Sequence, residues 1–139
     1  MVSRRPRRRS IRLEAGSATH VGLIRDVNQD DVAYTDDVFV VADGMGGHRG
    51  GEVASTVATV AVVEGFVGPD RAALVRAVRQ ANRAVLQRAA EDPDLSGMGT
   101  TLCVLAVVDG PGGQGGPDAL AVVNIGDSRV YRLDAGGLV

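Results

Sequence analysis

The chain has 139 residues, 45% hydrophobic and only 3% aromatic, with 19 glycines and a formal net charge of -2. That length fits one domain with a core built on Val, Ala and Leu, and the single cysteine, Cys103, excludes an intrachain disulfide. Residues 1–12 hold six Arg and no acid, so the remainder carries nine Arg against 17 acids, a net of -8, which argues against a nucleic-acid-binding fold.

Residues 1–12 read as a basic, disordered tail. No apolar segment follows Arg4-Arg5 as a twin-Arg signal would need, and no stretch is long enough to span a bilayer, so the expected location is the cytoplasm. Ile11–Val21 has the alternation of an opening strand, and a polar connection, Gly22–Asp30, follows. Asp31–Thr35 reads as a short strand turned by Asp36-Asp37 into a second, Val38–Ala42, which delivers Asp43 at its tip. A carboxylate on a rigid strand end suits a hard cation, and the glycines beside it (44, 46, 47, 50, 51) let backbone approach the same point, with the Gly44 carbonyl as an oxygen donor. Asp-Gly is also a common turn pair, so this stretch alone leaves both readings open.

Glu52–Phe66 carries small apolar residues at 53, 54, 57, 58, 61 and 62, a helical stripe suited to close packing on a sheet. Asp70 caps a second helix, Arg71–Ala90, whose core face is Leu74, Val78, Ala81, Val85 and Ala89, with Arg76, Arg79 and Arg83 on the solvated side. After a loop, Gly99–Asp109 reads as a strand buried on both faces, with Cys103 as a small core residue. Gly110–Asp118 is a Gly/Pro turn, Ala119–Ile125 a strand ending on Gly126-Asp127-Ser128, Arg129–Leu133 another strand, and Asp134–Gly137 a hairpin turn into Leu138-Val139. Strands, two adjacent helices, then strands again point to an α+β fold with antiparallel sheets and helices on a face.

Four polar blocks sit at strand ends: Arg25-x-x-Asn28-x-Asp30, VADGMGGH at 41–48, GMGTT at 97–101 and NIGDSRVY at 124–131. In this order, with the helix pair between the second and third, they resemble the metal-dependent PPM/PP2C-type Ser/Thr protein phosphatases, particularly the bacterial members. The resemblance covers residues 13–139 and implies an αββα sandwich of two antiparallel sheets flanked by helices. It also implies a site holding two, or three, Mn²⁺ or Mg²⁺ ions, where phosphomonoesters are hydrolysed by a metal-activated water. On it Asp43 bridges the metals, the Gly44 carbonyl binds one, and Asp127 serves a third. Arg25 holds the substrate phosphate, for which a guanidinium fork is well suited, and Asp30 orients a ligand or water.

The departures are specific. Gln29 replaces a Glu of many relatives, and Met45 stands where eukaryotic members carry His, so the general acid is unassigned. His48, in the glycine loop, reads as polar surface and His20 as structural. The family's later metal-binding aspartates have no counterpart before Val139. The expectation is therefore an amino-terminal, incomplete phosphatase domain with weak or no activity by itself, the alternative being an inactive phosphatase-like binding or regulatory module. The implied partners are phosphorylated Ser/Thr proteins, substrates of a cognate Ser/Thr kinase, met by a monomer when complete. A dinucleotide site is excluded because its third glycine would fall on Arg49.

Overall fold

The computed structural model describes residues 10–47, 49–113 and 116–139. Apart from Ser10–Arg12, the basic tail lies outside the described residues, as does His48. Three antiparallel ladders organise the rest. Strand β1 (Asp30–Tyr34) pairs with β2 (Val38–Met45), and β2 pairs on its other side with β4 (Leu102–Asp109), itself paired with β5 (Asp118–Ile125). A two-residue strand, β3 (Gly99–Thr100), pairs with the end of β2, giving the order β1-β2-β4-β5 with β3 beside β2. A small hairpin, β6 (Leu133–Asp134) with β7 (Gly137–Leu138), stands apart from this sheet.

Helix α1 (Gly50–Gly65) lies on β1 and β2, and α2 (Arg71–Glu91) packs against α1. Both contact faces are small: Ala54, Ala58, Ala73, Ala77 and Ala81 are buried, which lets the helices approach closely. Between helices and sheet, Val38, Val40, Val62, Val104 and Val108 are almost wholly enclosed, each burial worth roughly 1.5–3 kcal/mol. A buried polar contact adds direction, because the Thr59 hydroxyl of α1 donates to Asp31 of β1. Asp70 caps α2 as its sequence suggests, its Oδ1 accepting from Ala73 N–H at 2.7 Å.

The far face of the sheet is apolar too. Cys103 and Val107 are buried there, while Val41, Leu120 and Val122 are about half exposed, at 50%, 47% and 52%. β4 is thus enclosed on both faces along most of its length, as its continuous apolar run implies.

Four expectations change. Ile11–Val21 is not a strand: no ladder pairs with it among the described residues, and alternation without a neighbouring backbone cannot make one. Gly99–Asp109 is two strands, because the chain leaves the ladder at Thr101. Arg129–Leu133 is reduced to β6, although Arg132 and Val139 exchange backbone hydrogen bonds at 2.7 and 2.8 Å. Finally, β2 runs through Asp43 to Met45 instead of stopping at Ala42, since β3 supplies partners for Gly44 and Met45. The helices otherwise fall within two residues of expectation, and Arg76, Arg79 and Arg83 are exposed. No helix among the described residues is long and apolar enough to cross a membrane.

Candidate active site

Asp43 is held by its backbone. Its N–H donates to Thr101 Oγ1 at 3.0 Å, and its carbonyl accepts from Thr101 N–H at 2.9 Å and from Thr100 Oγ1 at 3.0 Å. With both main-chain groups fixed, the exposed carboxylate projects from a position that cannot drift. Thr101 Oγ1 also lies 2.6 Å from Ser128 Oγ, so one hydroxyl ties the Asp43 rung to the turn bearing Asp127. Gly126 precedes that turn with φ 96°, and a Cβ there would stand 2.8 Å from Thr101 Cγ2.

Gly44 is a steric requirement. Its N–H donates to the Gln29 carbonyl at 3.0 Å, and a Cβ at this residue would come within 1.9 Å of the Gly51 carbonyl oxygen. The start of α1 therefore rests backbone to backbone on the end of β2, and the glycines at 44 and 51 permit it. Gly50 and Gly51 belong to the first turn of α1, not to a loop.

Arg25 reaches the site from the 22–29 connection. Gly22 opens its turn at φ 83° and donates N–H to His20 Nδ1 at 2.9 Å, which gives His20 a structural role. Arg25 Nη1 donates to Gln29 Oε1 at 3.1 Å. An amide at 29 orients the guanidinium without cancelling its charge, as a glutamate would.

Asp30 stands opposite Asp43 across the β1–β2 ladder. Partial burial, then repulsion by the Asp43 carboxylate and a hydrogen bond shared with it, raise the Asp30 carboxyl above its ordinary value, while Arg25 pulls it down. Burial also raises the Cys103 thiol, whose Sγ donates to Asn124 Oδ1 at 3.3 Å, so this cysteine is inert core.

Arg25, Asp43, Gly44 and Asp127 line one cleft of about 770 Å³, together with Gln29, Met45, Arg49 and Thr101. Asp30 lines an adjoining hollow that shares Arg25 and Asp43. The sequence reading gave no role to Thr101, although it stands in the GMGTT block, and none to Arg49. No local pattern marks out Arg49; for Thr101 the available signal is a polar residue interrupting an apolar strand.

The cleft's lining includes the hard oxygen donors of Asp43 and Asp127, a chemistry that suits Mg²⁺ or Mn²⁺. Among the described residues, no three His, Cys, Asp or Glu side chains gather closely enough to hold a metal. The donor types fit, and their number falls short of a full coordination shell.

The family model of protein phosphatase 2C matches residues 23–139. The chain belongs to the protein phosphatase 2C family. It is 40% identical over 121 residues to the serine/threonine protein phosphatase PstP of Mycobacterium tuberculosis, a match covering 84% of this chain and 22% of that protein. It is also similar to the crystal structure of MsPP, a PPM Ser-Thr phosphatase from Mycobacterium smegmatis in complex with cacodylate (TM-score 0.77, 41% identity, 91% of this chain and 51% of that one). A third match is the PstP catalytic domain in complex with two manganese ions (TM-score 0.72, 39% identity, 86% and 50%). The chain thus has the phosphatase 2C-like α+β fold and spans about half the length of these solved relatives, or less of the full PstP.

Proposed function

We propose that residues 13–139 are the amino-terminal portion of a metal-dependent protein Ser/Thr phosphatase domain, and that Arg25, Asp30, Asp43, Gly44 and Asp127 are its site residues. The observation that carries this reading is the convergence of Arg25, Asp43, Gly44 and Asp127 on one cleft from three separate stretches of chain. Asp43 and the Gly44 carbonyl would hold a pair of Mn²⁺ or Mg²⁺ ions, with Asp127 for a third. When bound, such ions lower the pKa of water and offset the charge of phosphoryl oxygens.

The chain's own residues do the rest. Arg25, aimed by Gln29, holds the phosphate of a phosphoserine or phosphothreonine through paired N–H donors. Asp30, opposite Asp43 on the same rung, orients a ligand or water there. Thr101 fixes the direction of Asp43. On this reading the protein acts in the cytoplasm, as a monomer when complete, on the phosphorylated products of a cognate Ser/Thr kinase.

A second reading, a phosphatase-like module that binds without turnover, is favoured by the missing third carboxylate of a metal cluster among the described residues. Mn²⁺-dependent release of phosphate from a phosphothreonine peptide separates the two. The chain alone is expected to turn over weakly or not at all, and a chain extended past Val139 to do so readily. In the extended protein, Asp43→Asn should abolish turnover and Arg25→Ala should raise KM; full activity in a chelator would reject the metal chemistry.

A further inference from the structure

Arg49 lines the cleft together with Arg25, Asp26, Asp43 and Asp127. Arg25 donates to Gln29, and the carboxylates of Asp43 and Asp127 are oxygen donors suited to a cation. Arg49 has no such commitment. Among the described residues no hydrogen bond or ion pair reaches its guanidinium, and none joins it to Asp26, the remaining acid of the lining.

Its main chain is nevertheless fixed. Arg49 stands immediately before α1, its carbonyl accepts from Val53 N–H at 3.1 Å, and Gly50 N–H donates to the Gly47 carbonyl at 2.9 Å. Arg49 also walls a second hollow, of about 440 Å³, with Val53, Arg88, Asp92, Asp94 and Leu95, where Arg88 is paired with Asp92 at 3.6 Å. It is thus an exposed cation at the boundary between two hollows. A guanidinium stays charged at any working pH and takes a carboxylate through two parallel N–H donors, so the counter-ion missing here is one that a ligand can bring.

We propose that Arg49 sets substrate preference by pairing with an acidic side chain close to the phosphorylated residue, so that the preferred substrates are phosphopeptides with Asp or Glu beside phosphoserine or phosphothreonine. The inference rests on the reading of the cleft as a phosphatase site with Arg25 on the phosphate. A cleft of 770 Å³ is on the order of 10 Å across, which about three residues of extended chain span, so the acid belongs within about three positions of the phosphate. The rest of the molecule opposes such a ligand: after residue 12 there are nine Arg against 17 acids, a field that disfavours an acidic peptide at long range. A preference for acid is therefore the mark of a local contact, and Arg49 is the cation in the cleft left to make it.

The test uses the full chain with Mn²⁺ at fixed ionic strength and fluorescent peptides bearing a phosphonate analogue of phosphothreonine, so that nothing is hydrolysed. One peptide is neutral around the analogue, and the others place a single Glu at each of the three positions on either side. The expected result is at least one Glu peptide bound about three- to fivefold more tightly than the neutral one, the scale of one ion pair near a surface. Arg49→Ala and Arg49→Gln should bring that ratio to one, Arg49→Lys should keep part of it, and Arg25→Ala should weaken every peptide alike. The proposal is overturned if no Glu peptide binds more tightly than the neutral one, or if the ratio survives in Arg49→Ala. Failure of the phosphatase reading has a different signature, Arg25→Ala binding every peptide as the parent does, and a parent chain that binds none of the peptides overturns both.

Discussion

Asp30 and Asp43 share one rung of the β1–β2 ladder, two carboxylates placed directly opposite each other. Like charges on facing strand positions are destabilising, and the sequence keeps them where the cleft meets its adjoining hollow. On the function proposed above, that concentration of negative charge serves to receive a cation.

That rung has a pH signature. The folded state raises the Asp30 carboxyl above its ordinary value of 3.8. Between the ordinary and the raised value the folded chain binds more protons than the unfolded one, so stability falls as pH rises through that window and then levels off. Asp30→Asn should therefore raise the Tm of the metal-free chain at pH 7, and the advantage should disappear below the ordinary carboxylate range. Thermal unfolding of both chains from pH 3 to pH 7.5 measures it; a variant less stable than the parent at pH 7 would contradict the repulsive rung.

Gly44→Ala asks whether the backbone contact at the base of the site is as tight as it looks. The added methyl would meet the Gly51 and Gln29 carbonyl oxygens at 1.9 and 2.7 Å, main-chain atoms that cannot swing away. Separation of α1 from β2 should cost about 3 kcal/mol or more, read from urea unfolding. Gly47→Ala, where a Cβ meets nothing within 4 Å, is the matched control and should change stability little.

Thr101 can be dissected by two substitutions. Thr101→Val keeps the shape but takes the acceptor from Asp43 N–H and the partner from Ser128. It should lose about 1 kcal/mol of stability and about tenfold in Mn²⁺ affinity, as loss of a supporting hydrogen bond does at metal sites. Thr101→Ser should restore both. Isothermal titration with Mn²⁺ and chemical denaturation supply the two readings, and equal behaviour of the Val and Ser variants would remove the hydroxyl from the account.

Asp70→Ala tests the fold away from the site. Removing the oxygen that accepts from Ala73 N–H should destabilise the chain by about 1 kcal/mol. Asp70→Asn, which keeps an acceptor, should recover most of that loss in the same denaturation experiment.

Much of the architecture was written locally. The stripe of small residues from 53 to 62 and the spacing from Leu74 to Ala89 are periodicities that any helix must obey, and both helices form where they run. Asp70 signals its cap because capping is settled within four residues. The unbroken apolar run from Leu102 to Val108 announced a strand enclosed on both faces. Ile11–Val21 misled for the opposite reason: alternation records which side of a strand would be wet, but a strand exists only when another backbone pairs with it.

The sequence by itself determined the helices, the hairpin carrying Asp43 and the four motif blocks, because each is a property of residues adjacent along the chain. Tertiary structure alone decided that Asp43 lies within β2 and not at its tip, that Thr101, 58 residues away, holds it, and that Gln29 orients Arg25. The hydrogen bond from the Ser10 hydroxyl to Asp118 spans a still longer separation. Such contacts depend on how the chain closes on itself, and neither propensity nor periodicity carries that information.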